Sequence, residues 1–163
     1  MRVLVSDTSV IIDVERGALL NDWFRLPFEF AVPDLLFHRE LSGPLGDQLI
    51  GRGLRVEELT PGEVTRATAV LRQRTDLSVP DTFAFSLAAA RGWALLTDHG
   101  TLRQLAITKK IEVYGVLWLF DQLEAGRLLP LRKLRDALTS ISEDPRCRLP
   151  AAEIKRRLER YGK

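Results

Sequence analysis

The chain has 163 residues, 45% of them apolar, which is enough for one compact α/β core and too few for two well-buried ones. A net charge of +2 with 28% charged residues excludes a histone-like polycation and an acidic disordered tail, so any nucleic-acid site must be a local patch. The single cysteine, Cys147, excludes an intramolecular disulfide framework and points to a reducing, cytoplasmic setting.

Val3-Leu4-Val5 is a short continuous apolar run, far too short for a signal-peptide core, and no later stretch could span a bilayer, so neither secretion nor membrane insertion is expected. The run fits a strand buried on both faces of a parallel sheet. It ends near Ser6. Asp7-Thr8-Ser9 then supplies helix-capping oxygens ahead of Val10, Ile11 and Val14 at helical spacing. Phe28 to Val32 reads as a second strand, followed by a helix with Pro33 in its first turn, running through Leu36 and Glu40 and stopping at Gly43-Pro44. Residues 54 to 59 read as a weak edge strand or an irregular connection. Thr60-Pro61-Gly62-Glu63 fits a capping box and predicts a helix over 61–74. The segment from Asp81 to Arg91 is apolar nearly all round, as a buried helix should be, and Gly92 ends it. Ala94 to Leu96 is a third buried strand ending at Thr97-Asp98, with a helix near 101–106 and a brief strand at 111–113. Beyond Gly126, one amphipathic helix carries Leu131, Leu134, Leu138 and Ile141, and another carries Ile154, Leu158 and Tyr161 after a break at 144–150.

Strands alternating with helices imply a parallel sheet with helices on both faces, whose ligands bind beyond the carboxyl ends of the strands. Asp7 and Asp98 each follow a buried strand there, Asp81 opens the buried helix, and Glu40 sits one turn beyond Leu36. Carboxylates gathered in a dry crevice repel each other unless protons or cations neutralise them. Mg2+ or Mn2+, which take oxygen ligands and bind phosphates, are the expected compensation, with phosphodiester hydrolysis the expected chemistry.

These segments resemble the PIN-domain family: Val3-Leu4-Val5-Ser6-Asp7-Thr8-Ser9, Val32-Pro33-Asp34 leading to Glu40, Val79-Pro80-Asp81 leading to Ala88, and Leu95-Leu96-Thr97-Asp98. The resemblance covers roughly residues 1–125 and implies an α/β, PIN-like three-layer α/β/α fold with a short parallel sheet. Residues 126–163 would form a C-terminal helical extension packed on that domain or on a partner. By the same resemblance Asp7, Glu40, Asp81 and Asp98 are metal-binding acids, Thr8 supports the site through its hydroxyl, and the substrate is RNA. Many family members are ribonuclease toxins, which implies an antitoxin protein as partner and a homodimer. His99-Gly100 follows Asp98 where many relatives supply another acid, which weakens one metal position and leaves open a non-catalytic binding module.

Plainer readings account for the remaining candidates. Asp13 and Asp34 read as solvated helix positions and stay outside the site. His99 and His38 read as loop or surface histidines, and Trp23, Trp93 and Trp118 as core or interface. Lys155-Arg156-Arg157 with Arg160 reads as the solvated face of a terminal helix. Of the 24 basic residues 19 are arginines, which suits bidentate phosphate contact and equally suits a GC-rich genome. No complete dinucleotide fingerprint, phosphate loop, nucleophile elbow or structural zinc pattern occurs.

Overall fold

A computed structural model describes residues 2–162. Five parallel strands form one sheet: β1 (Arg2–Ser6), β2 (Phe28–Pro33), β3 (Arg55–Glu57), β4 (Ala94–Leu96) and β5 (Val113–Tyr114), in the order β3-β2-β1-β4-β5. The order reverses between β1 and β4, so a crevice opens beyond the carboxyl ends of those two strands. Leu4 and Val5 of β1 and Leu95 and Leu96 of β4 are fully buried, because helices cover both faces. The chain is therefore an α/β fold of the expected three-layer kind.

Helix α1 (Thr8–Arg16) follows β1 with Asp7 as its N-cap, and the short α2 (Leu20–Trp23) buries Trp23 against Phe30. After β2 the expected single helix is interrupted. Pro33 ends the strand in an extended conformation, and α3 (Asp34–Leu36) gives way to a π-helical turn over Phe37–Leu41. In an α-helix Glu40 would stand above the buried Leu36; the wider turn instead places Leu41, five residues on, in the core and leaves Glu40 exposed. Pro44 does not stop a helix but begins one, α4 (Pro44–Gly51), after Gly43 turns the chain at a φ of 110°.

The capping box is present at the start of α5 (Pro61–Gln73), where Thr60 and Glu63 satisfy each other's backbone donors. Ser78 caps α6 (Val79–Arg91), so that helix begins two residues earlier than expected, and Gly92 closes it in the left-handed conformation. Helices α7 (Gly100–Thr108) and α8 (Val116–Ala125) follow β4 and β5. Helix α8, not anticipated from the sequence, is largely buried through Val116, Leu119, Phe120 and Leu123.

Helix α9 (Leu131–Glu143) buries Leu134, Ala137, Leu138 and Ile141 against α1 and α8, and α10 (Ala151–Tyr161) packs on α9. The approach to α1 is close enough that a Cβ at Gly17 would lie 3.2 Å from Ile141 Cδ1. No helix among the described residues is long and apolar enough to cross a membrane.

Candidate functional site

The pairing of Ser6 with Leu96 places the next residues of the two strands, Asp7 and Thr97, side by side at the crevice. Asp7 is held by its own helix and its neighbour: the Val10 amide donates to it at 2.9 Å, the Ser9 hydroxyl at 2.9–3.0 Å, and the Thr97 hydroxyl completes the set. Thr97 also accepts from the His99 amide at 3.0 Å. The hydroxyls that support Asp7 are thus those of Thr97 and Ser9. Among the described residues, the Thr8 hydroxyl, expected in that role, is buried without a partner.

Only 1% of Asp7 is exposed. Burial pushes its carboxyl from an ordinary 3.8 up to about 7; the Thr97, Val10 and Ser9 donors oppose the rise and the nearby charge of Asp81 adds to it. Asp81 stands in the first turn of α6, its amide donating to the Ser78 hydroxyl at 3.2 Å. The two carboxylates come from different layers, and one senses the other's charge.

Asp98 lies across the switch point, where it accepts from the Val116 amide at 2.9 Å and so caps α8 from a distance. A Cβ on Gly115 would overlap this carboxylate, so only glycine allows the α8 start to approach β4 so closely. Burial raises the Asp98 pKa, with the Val116 amide and the Arg103 charge opposing. Next to it stands Asp13, which the sequence reading left in solvent. Its carboxyl is pushed up to about 6, first by burial and next by the charge of Asp98, while Arg16 at 3.3 Å opposes the rise. Asp13 and Asp98 share a cleft of about 630 Å³ with Ser9, Arg16, His99 and Arg146. The only local hint of Asp13 was its place on α1 behind Asp7, which does not reveal which helix face is covered.

The structure therefore places Asp7 with Asp81 and Asp98 with Asp13 around one strand edge. Glu40 lies on the exposed flank of the π-helical turn, and no hydrogen bond or ion pair links it to the other three. His99 is the N-cap of α7, its Nδ1 accepting from the Leu102 amide at 3.3 Å. Among the described residues, no three aspartate, glutamate, histidine or cysteine side chains form a ready-made metal ligand set. The donor chemistry nevertheless fits a hard divalent cation. Magnesium needs only one or two protein carboxylates and completes its shell with water and phosphate oxygens, and among the described residues the buried Asp7 makes its side-chain hydrogen bonds to hydroxyls and an amide and no ion pair.

A family model described as a PIN domain matches residues 3–163, nearly the whole chain and including the two terminal helices. No curated protein matches the chain.

Proposed function

Because the chain belongs to the PIN-domain family, whose members are generally nucleases, we propose that it is a divalent-metal-dependent endoribonuclease working at the β1/β4 crevice. The observation that carries this reading is the buried Asp7 carboxyl at the end of β1, held by the Val10 amide and the Ser9 and Thr97 hydroxyls beside a second acid, Asp81. Asp7, Asp81 and Asp98 would hold Mg2+ or Mn2+, with Asp13 beside Asp98 and Glu40 contributing from the rim through water. A bound divalent ion supplies a water acidic enough to attack phosphorus and a counter-charge for the leaving oxygen.

The chain's own residues prepare the rest. Thr97 and Ser9 fix the Asp7 carboxylate in one orientation, and Asp98 is fixed by the Val116 amide. Helices α1, α7 and α8 all begin at the carboxyl ends of strands, so their positive ends favour a phosphate in the crevice. Arg103, whose guanidinium donates to the Thr97 carbonyl at 2.9 Å, adds a fixed positive charge beside Asp98.

Cleavage of a labelled single-stranded RNA by the purified chain tests the reading. Activity is expected only with Mg2+ or Mn2+, and Asp7→Asn or Asp81→Asn should each lower it at least about 100-fold, the scale of a lost catalytic interaction. Equal cleavage in chelator, or unchanged rates in both variants, overturns it.

On the same reading the protein is a cytoplasmic toxin restrained by a small antitoxin that covers the crevice, and it pairs with a second copy of itself. Co-purification with the product of a neighbouring small reading frame, accompanied by loss of cleavage, tests that assignment. One observation favours a second reading: His99 caps α7 just after Asp98, where the family resemblance leads one to expect an acid. A non-catalytic RNA-binding module would bind RNA without turnover and gain no thermal stability from Mn2+.

A further inference from the structure

Asp98 borders two clefts, and the second of them, about 350 Å³, runs away from Asp13 along the outer edge of the sheet. One wall is aromatic. Tyr114 of β5 and Trp118 of α8 stack at 4.2 Å between centroids and 18° between planes, half-buried, with Phe28 behind Trp118 at 5.4 Å. The other wall is the loop between α9 and α10, which contributes Arg148 and Leu149 to both clefts.

That loop is anchored. Asp144 takes an ion pair from Arg16 of α1 at 3.2 Å, the Arg146 and Cys147 amides fold back onto Asp144, and Leu149 is buried. The other arginines of the two clefts are already engaged: Arg146 with Asp144, Arg157 with Asp121 at 2.7 Å and Glu153 at 3.1 Å, Arg16 with Asp13, and Arg103 with the Thr97 carbonyl at 2.9 Å. Arg148 is exposed and makes no hydrogen bond or ion pair among the described residues. A guanidinium without a partner among the described residues, lining the same cleft as the stacked aromatic rings and the partly buried Asp98 carboxylate, suits one nucleotide of a single strand. The phosphate meets the arginine, and an unstacked base meets the ring.

We propose that this groove is a single-stranded RNA subsite flanking the cleavage point, with Arg148 taking a backbone phosphate and the half-buried Tyr114–Trp118 pair packing against the adjoining base. The terminal helices would thereby supply part of the substrate site rather than only cover the core. The location of the cleavage point rests on the nuclease reading above; the binding itself does not.

The test uses the full chain carrying Asp81→Asn, titrated against a fluorescein-labelled ten-nucleotide single-stranded RNA between about 50 and 200 mM salt. Arg148→Ala should weaken binding about tenfold and reduce the salt slope by about one, as loss of one phosphate contact requires. Arg148→Lys should restore the slope. Trp118→Leu should weaken binding about tenfold with the slope unchanged. Arg132→Ala, on the exposed face of α9, should change neither. In the active protein Arg148→Ala should raise KM about tenfold with kcat within threefold. Arg148→Ala binding like its parent, an equal loss in Arg132→Ala, or no RNA binding by the parent overturns the subsite; Arg148 is a surface residue, so its variant remains informative if Trp118→Leu misfolds. Arg148-dependent binding without cleavage would overturn the nuclease reading and leave the subsite standing.

Discussion

Two acidic clusters in this molecule are built on opposite principles. At the end of α6, Arg91 reaches Glu57 at 3.0 Å and Glu63 at 3.1 Å, donates to the Glu58 carbonyl, and lies over the Trp93 ring, with Arg55 on Trp93 as well. The Arg91 hydrogen bonds and the Thr60 amide hold the Glu63 carboxyl down at about 2. At the crevice, Asp7 and Asp13 are pushed up to about 7 and 6, and burial is the largest cause in both. An acid that serves the fold carries its cation with it. Among the described residues Asp7 pairs with no cationic side chain and Asp13 only with Arg16, so burial outweighs the compensation there, a cost that a bound metal ion would relieve on the proposed function.

The largest way to break this contrast is to strip the first cluster of its cation. Arg91→Ala leaves Glu57 and Glu63 facing each other and should cost about 2–4 kcal/mol in urea unfolding, with cleavage per folded molecule within about twofold. A cost below about 1 kcal/mol would show that the pairing does little.

The pH dependence of the crevice has the opposite sign from that of Glu63. A carboxyl whose folded pKa is raised contributes stability below its ordinary value near 4, and that contribution is lost as pH rises through about 7. Without metal, the melting temperature should therefore fall between pH 5 and pH 8, and Asp7→Asn should flatten the fall and be about 2 kcal/mol more stable at pH 8. A less stable Asp7→Asn at pH 8 would make Asp7 a simple helix cap. For Glu63 the contribution is present above the ordinary carboxylate range and lost only as pH falls toward about 2.

Supplying a cation should sharpen the contrast by a smaller amount. Mn2+ at ten times its dissociation constant should add about 1.4 kcal/mol to the wild type at pH 8, read as a shift in thermal unfolding, and nothing to Asp7→Asn. The smallest effect is expected at Glu40, where exposure limits the change in stability from Glu40→Gln to about 0.5 kcal/mol. Its cleavage rate should fall about tenfold or less, against at least about 100-fold for Asp7→Asn. A loss at Glu40 as large as at Asp7 would place it in the inner set of ligands.

Local chemistry announced itself well in the chain. The Thr60–Glu63 box, the buried runs of β1 and β4, and the apolar α6 each record a constraint satisfied within a few residues. Elements whose identity depends on distant partners were harder to read. Helices α4 and α8 went unanticipated, since Pro44 serves equally as a stop or a first residue, and α8 is capped by Asp98, 18 positions away. The π-helical turn that exposes Glu40 has no sequence signature of its own; it answers the demand that Leu36 and Leu41 both enter the core.

The sequence alone determined which acids could stand at the crevice, because an aspartate directly after a buried parallel strand has nowhere else to go. Asp7 and Asp98 were legible for that reason. Tertiary structure decided how each is held and which neighbours join it: Thr97 rather than Thr8 on Asp7, Gly115 making room for Asp98, Asp13 drawn toward Asp98, and Arg148 delivered by a loop some 50 residues further along the chain. The physical reason is that burial and Coulomb interaction depend on distance in space. A carboxylate's position in sequence fixes its element, but only the packing of other elements fixes its dielectric surroundings and the charges it meets.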